Sequence, residues 1–338
     1  MADSPEPYFE LPPAEQAELL LGLAPVLGRR AEILEKDIWL CLVLGILFDL
    51  PGRKPMAFKG GTSLSKVYQA IERFSEDIDV TVDYRSLVDG APDPATLGSN
   101  QRRRLSDALK AALAEHVNRE LAPALREAMA QALPGRQITV EVSEDGEDLR
   151  LYYPSAVENT DAYLRPSVLI EFGGRNATLP RETVEIVPDV TEHVPGVAFP
   201  SARVAVLSPA RTFWEKATLI HVECHRPEIR AGAERLSRHW YDLARLADHE
   251  IGRNAVPDIE LLRDVLSIKE TFFRSSHSHY GRCLDGGLRL IPQPALLEAL
   301  REDYRAMLSA QMFYGETLPF DRIVERLADL EQEINQGR

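Results

Sequence analysis

The chain has 338 residues, 44% of them hydrophobic, which suffices for one large or two ordinary domains with real cores. A formal net charge of -14 argues against holding nucleic acid by bulk charge, so any such partner must meet local basic patches. Cys41, Cys224 and Cys283 are odd in number and far apart, which suits reduced thiols rather than a disulfide framework. There is no apolar run long enough to span a membrane, and the acidic start MADSPEPYFELPPAEQ lacks the parts of a secretion signal. The expected location is the cytoplasm, with no membrane partner.

Residues 14–24 and 31–50 read as helices, the second (AEILEKDIWLCLVLGILFDL) apolar enough in its latter half to be a core helix. After the turn signal PGRKP comes a short strand, MAFK, then Gly60 and Gly61, then a helical segment of about ten residues with Leu64, Val67, Tyr68 and Ile71 on one face. DIDVTVDY alternates, placing Ile78, Val80, Val82 and Tyr84 on one side and Asp77, Asp79, Thr81 and Asp83 on the other, as in a half-buried strand. Residues 89–100 form a loop, and 101–133 a long helix opening on Arg102, Arg103 and Arg104. Strands are expected at ITVEV (138–142) and SVLIEF (167–172), the latter closed by Gly173 and Gly174. Ser208 and Pro209 have the chemistry of a helix N-cap and first turn, and almost everything after them has helical period. The expected architecture is α+β, a small mixed sheet flanked by helices and followed by a mainly helical part, with a boundary near residue 205.

The stretch KGGTSLSKVYQAIERFSEDIDV (59–80) carries the chemistry. Two glycines between a strand and a helix let backbone approach a ligand, and the first amides of the helix favour an anion such as a phosphate. Asp77 and Asp79, two apart on a strand, project to one face with Cβ atoms on the order of 6–7 Å apart, close enough to flank a divalent cation. Phosphate turn, short helix and D-x-D strand in that order describe nucleotidyl transfer. Either half alone is commonplace, the glycine pair as a turn and the D-x-D as a solvated face. Walker and dinucleotide-binding glycine patterns are both absent.

At these residues the chain resembles the DNA-polymerase-β-like nucleotidyltransferases, and within them the AbiEii/AbiGii abortive-infection toxin family, related to the MenT toxins. The resemblance rests on EKDIWLCLVLGILF, FKGGTSLSK, the R-x-S-x-D-x-D of Arg73, Ser75, Asp77 and Asp79, the EK of FWEKATLIH, RHWYDLARL and QMFYGETLPFDRIVERLADLEQEIN. It covers most of the chain, while 85–165 matches nothing familiar. It implies a nucleotidyltransferase fold and a toxin that uses an NTP and Mg2+ or Mn2+ to add nucleotides to an RNA acceptor, in particular a tRNA 3′ end. It also implies neutralisation by a cognate AbiEi-like antitoxin. Carried over residue by residue, Gly60, Gly61, Thr62 and Ser63 form the phosphate turn, with Lys59, Lys66, Arg73 and Ser75 around the substrate. Asp77 and Asp79 hold the metal, and Lys216 and Asp242 match the later lysine and aspartate of the family.

Lys216 sits at the edge of an apolar helix face built from Ala210, Phe213, Trp214, Ala217 and Ile220, where a lysine either snorkels to water or neutralises triphosphate charge. Asp242 falls between His239 and Arg245, so it is either a structural ion-pair partner or a group that orients Lys216. A third carboxylate commonly comes from a neighbouring strand in this fold, and Glu171 is the acid inside SVLIEF, as metal ligand or general base; the alternative is a sheet-face glutamate paired with an arginine. Asp83 lies further along, where solvent exposure explains it. HVECH at 221–225 with His277, His279 and Cys283 lacks zinc-ligand spacing. Arg102 to Arg104, the set Arg226, Arg230, Arg235 and Arg238, and the set Arg274, Arg282 and Arg289 are RNA-contact candidates or ordinary charged faces. The aromatics of FYGETLPF (313–320) are expected to anchor the last helix. Two rival readings are a transferase acting on a protein or small molecule and a catalytically silent binding module.

Overall fold

In the computed structural model, which describes residues 5–93, 96–158, 165–226, 235–314 and 317–337, the chain falls into two units. One takes in Met1–Val67, Phe74–Gly90 and Asp107–Val206, the other Tyr68–Arg73, Ala91–Ser106 and Leu207–Arg338. Among the described residues no helix is long and apolar enough to cross a membrane.

The first unit runs β1 (Glu6–Pro7), α1 (Pro13–Leu27), α2 (Ala31–Asp49), β2 (Met56–Lys59), α3 (Gly60–Lys66), β3 (Asp77–Asp83) and α4 (Tyr84–Leu87). It continues with α5 (Ser99–His116, its start counted with the second unit), α6 (Ala122–Ala132), β4 (Thr139–Val142), β5 (Asp148–Tyr152), β6 (Ser167–Asn176), β7 (Arg181–Ile186), β8 (Val197–Ala198) and β9 (Ala202–Leu207). Seven strands form one mixed sheet in the order β4-β5-β6-β3-β2-β9-β7, while β1 and β8 pair separately. β3 lies inside the sheet, parallel to β6 and antiparallel to β2. Its alternation follows burial: Ile78, Val80 and Val82 have no exposure, while Asp77, Asp79 and Asp83 are half-buried.

As the apolar run at 31–50 predicts, α2 is a core helix, with Leu34, Ile38, Leu44 and Leu47 fully buried. Trp39 stacks on Tyr153 with ring centroids 4.6 Å apart, and Phe9 meets its edge at 4.8 Å. Rings in these arrangements add to the stabilisation from their buried apolar area.

The second unit holds α7 (Pro209–Cys224), α8 (Ser237–Asp248), α9 (Glu250–Ala255), α10 (Ile259–Phe272), α11 (Pro294–Ser309) and α12 (Phe320–Gln336). Ser208 and Pro209 stand at the N-cap and first position of α7, although the Ser208 hydroxyl makes no capping bond. Trp214 donates its indole N–H to the Ala255 carbonyl and Trp240 to that of Leu290, so both rings are buried with their polar atom satisfied. The Tyr68–Arg73 segment joins this unit by backbone: the Tyr314 N–H donates to the Glu72 carbonyl at 2.8 Å, and Arg73 bridges to Phe313. Phe313 packs on Tyr241 and Tyr304, and Phe320 on Tyr304. Gly315 and Glu316 of the expected aromatic anchor lie outside the described residues.

Four local expectations are corrected. The helix after the glycines stops at Lys66, where the chain turns through Gln69 at φ 48°, so the apolar spacing out to Ile71 is not helical. Tyr84 opens α4 instead of ending β3. Gly173 and Gly174 do not close β6, which runs on to Asn176; a Cβ at Gly174 would strike Leu87 and crowd Leu113, so this glycine admits packing side chains rather than a turn. Finally, DLRLY, RETVEI and ARVAVL all form strands, none of them expected.

Replacing Trp39 with alanine removes the ring between Phe9 and Tyr153 and should lower stability by about 3–5 kcal/mol. Urea denaturation followed by circular dichroism measures it, and a loss under about 1 kcal/mol would show that the cavity collapses around the missing ring.

Candidate active site

In the first unit, β2 feeds the glycine turn, α3 leads away from it, and β3 returns antiparallel to β2 with Lys59 opposite Asp79. Gly60 takes φ +83°, and a Cβ there would fall on the Asp79 carboxylate. Only glycine meets both constraints, so turn and carboxylate are built as one object. Thr62 reinforces the join: its hydroxyl donates to the Asp77 carbonyl at 2.6 Å and lies 2.9 Å from the half-buried Ser75 hydroxyl. Ser63 donates to the Gly60 carbonyl at 3.0 Å. Gly61, Thr62 and Ser63 are all buried, so the Thr62 and Ser63 side chains brace the turn from within.

Register brings Glu171 to the same place. Asp79 is the direct partner of Glu171 on β6, and Asp77 that of Leu169. Residues paired in this way share a sheet face. Asp77, Asp79 and Glu171 are half-buried on that face, while Ile78, Val80, Ile170 and Phe172 bury on the other. Among the described residues no group of three or more His, Cys, Asp or Glu side chains stands ready to hold a metal ion. The donor chemistry of the Asp77–Asp79 pair still fits a hard cation, because magnesium is bound through one or two carboxylates and takes the rest of its oxygens from water and substrate phosphates. Asp83 has a different use: its carboxylate accepts from the Arg85 N–H as the N-cap of α4 and from the Thr178 hydroxyl.

Lys66 is drawn away from the turn. Its ammonium pairs with Asp37 at 2.6 Å and Asp189 at 2.7 Å, and Arg29 also pairs with Asp189. Burial opposes the Lys66 charge, but Asp37 and its other acidic neighbours outweigh it and hold the ammonium above its ordinary value. Nothing in the sequence near Lys66 signals these partners.

In the second unit Asp242, with no exposure, receives a two-pronged bond from Arg73 (Nε to Oδ1 2.6 Å, Nη2 to Oδ2 2.7 Å) and the Lys216 ammonium at 2.8 Å. The structure thus brings Lys216 and Asp242 together. Lys216 does not snorkel: it is 7% exposed. Arg245 pairs with Glu72 rather than with Asp242. Arg73 is the partner that helical spacing around Asp242 missed. Burial by itself would raise the Asp242 pKa, but Arg73 and Lys216 outweigh it and hold the carboxyl well below its usual range. For Lys216 burial dominates, and with help from Arg73 it pulls the ammonium below its ordinary value against the attraction of Asp242. Two cations thus share one carboxylate in a nearly dry place.

The one histidine of α7, His221, is occupied structurally. The Arg289 N–H donates to His221 Nδ1 at 2.9 Å, which leaves Nε2 to donate to the His279 carbonyl at 3.3 Å. Burial pushes the His221 pKa down to about 4, so the ring is neutral with both nitrogens taken. Arg103, Arg104, Arg274, Arg282 and Arg289 are exposed, Arg226 pairs with Glu223 at 3.0 Å, and Arg230 lies outside the described residues. Arg274 and Arg282 line a cleft of about 790 Å³ with Ser275, Ser276 and His279.

Gly60→Ala should push the Asp79 carboxylate aside and weaken Mn2+ binding about ten-fold or more, as displaced metal-site geometry does, measured by electron paramagnetic resonance of free Mn2+. Asp242→Asn leaves two buried cations without their anion and should cost about 3–5 kcal/mol at pH 7. Because the folded pKa of Asp242 is depressed, its contribution is complete above the unfolded value near 3.9 and is lost as pH falls below that, so the variant's deficit should shrink in acid. Denaturation midpoints from pH 7 to about 2.5 test this, and a deficit independent of pH would contradict the ionised triad.

The profile of the family described as "Nucleotidyl transferase AbiEii toxin, Type IV TA system" matches residues 43–326. No curated protein is significantly similar to the chain. Among solved structures it is similar to the nucleotidyltransferase toxin MenT4 from Mycobacterium tuberculosis H37Rv, at 19% identity over 97% of this chain and 99% of that one, with a TM-score of 0.40. That overlap is too loose to map residues between the two. The family profile, by contrast, spans the glycine turn, the D-x-D strand, Lys216 and Asp242 in order, and the chain belongs to the AbiEii nucleotidyltransferase toxin family of type IV toxin–antitoxin systems.

Proposed function

We propose that this toxin transfers a nucleoside monophosphate from an NTP to the 3′ hydroxyl of an RNA, with tRNA as the acceptor, and so stops translation. The observation that carries the chemistry is the Asp77–Asp79 pair on one sheet face, with Gly60 seated against Asp79 and Glu171 in register beside it. Asp77 and Asp79 would hold Mg2+ or Mn2+, which when bound offsets phosphate charge and lowers the pKa of the attacking hydroxyl. The backbone at Gly60 and Gly61 receives the phosphates. The 3′ oxygen attacks the α-phosphorus, the α–β anhydride bond breaks, and pyrophosphate leaves with the electron pair. Glu171 is the candidate acceptor for the hydroxyl proton. Lys216, held by Asp242 and nearly buried, is the proposed cation for the triphosphate. Lys59, Ser63, Lys66 and Ser75 shape the turn and its supports rather than the reacting atoms.

An RNA acceptor, NTPs and a cognate AbiEi-like antitoxin make the cytoplasm the proposed place of action. A second reading has the acceptor as a protein or small molecule, favoured by the net charge of -14, which weakens the case for a large phosphate surface. A silent binding module is less well supported, because Asp77, Asp79 and Lys216 are all present.

Purified protein incubated with Mg2+, each α-labelled NTP in turn and total tRNA, beside Asp77→Ala/Asp79→Ala, should place label on tRNA with the intact chain alone. The variant's rate should fall by about three orders of magnitude or more, the scale on which losing the groups that stabilise transferred charge acts. Label on protein would transfer the reading to the second acceptor class, and equal label from both chains would remove the two aspartates from the chemistry.

A further inference from the structure

Three consecutive residues of α2, Glu35, Lys36 and Asp37, are charged and buried, at 2%, 4% and 8% exposure, in a helix whose other buried side chains are apolar. Each reaches a different segment. Glu35 accepts from the Ala156 N–H at 2.6 Å, Lys36 pairs with the buried Glu76, and Asp37 pairs with Lys66 while accepting from the Asp189 N–H at 2.7 Å. Lys66 ends α3, the helix that leaves the glycine turn, and Glu76 immediately precedes Asp77. Between these two points the chain departs through Tyr68–Arg73, which belong to the second unit, and returns at Phe74. Neighbouring residues of one rigid helix therefore pin the place where the chain leaves the first unit and the place where it re-enters.

We propose that Lys36 is a positioning residue of the metal site: through Glu76 it fixes the start of β3, and with Asp37 on Lys66 it sets the spacing between the glycine turn and the Asp77–Asp79 pair. A buried ion pair is a poor device for stability, since well-packed apolar residues of similar volume do as well or better. What the pair adds is direction, because charge-assisted bonds hold only in a narrow geometry. The Thr62 bond to the Asp77 carbonyl is a third tie between the same two segments. Side chains that orient metal ligands from behind change metal affinity by about 10- to 100-fold when removed. This inference rests on the reading of Asp77 and Asp79 as metal ligands.

The test is Mn2+ binding to the full chain, followed by electron paramagnetic resonance, with melting temperature recorded in parallel. Lys36→Met/Glu76→Met exchanges the pair for apolar groups of similar length; it should melt close to the parent and bind Mn2+ about ten-fold more weakly or worse. Glu76→Gln keeps the volume and removes one charge, and should shift affinity in the same direction should the double variant fail to fold. Parent-like Mn2+ affinity in a folded variant overturns the positioning role while leaving the metal site intact. Parent-like affinity in Asp77→Ala/Asp79→Ala instead overturns the metal reading, and the inference falls with it.

Discussion

A carboxylate without solvent is costly unless cations close around it, and Asp242 has none. Its two oxygens are occupied by Arg73 and Lys216, which come from sites 169 residues apart at one extreme and from adjacent helices at the other. The second unit depends on that condition. α7 and α8 must bring Lys216 and Asp242 face to face, and the Arg73 segment must be present before the arrangement is electrically tolerable. The backbone bridges from Glu72 and Arg73 to Tyr314 and Phe313 then follow as the means of keeping the segment in place.

The first unit buries charge by another route. On α2, alternating signs reach out to partners on separate segments, so cations and anions are nearly balanced: Lys36 with Glu76, and Lys66 and Arg29 against Asp37 and Asp189. Balanced pairs perturb their surroundings little. In the Asp242 triad two cations instead share one carboxylate.

Much of this was legible in the sequence. β3 announced itself by strict alternation, α2 by its apolar run, and the start of α7 by Ser208 and Pro209. The turn and its carboxylates stood within one stretch, so local spacing sufficed to join them. What escaped detection was non-local. Arg73 beside Asp242 depends on a chain path that leaves one unit and comes back, whereas Glu171 was named from the resemblance, and β6 does pair with β3 so that Glu171 stands opposite Asp79. β5, β7 and β9 are strands of only five or six residues, too short for a period to stand out, and Gly174 imitated a turn because the packing that requires it comes from Leu87 and Leu113, far away in sequence. Lys66 looked like a phosphate contact for the same reason: a lysine near a glycine turn gives no hint that Asp37 and Asp189 will claim it.

The Tyr68–Arg73 excursion also bears on how such a protein can change over generations. A recombination joint near residue 206 would give the carboxyl-terminal half of one toxin to the amino-terminal half of another, and with it a foreign Arg73 segment under the Asp242 triad. The exchange would survive only if both parents agreed at those few positions. A working swap of the part beyond residue 206 would therefore have to carry the 68–73 segment with it, an insertion inside the first unit's own sequence.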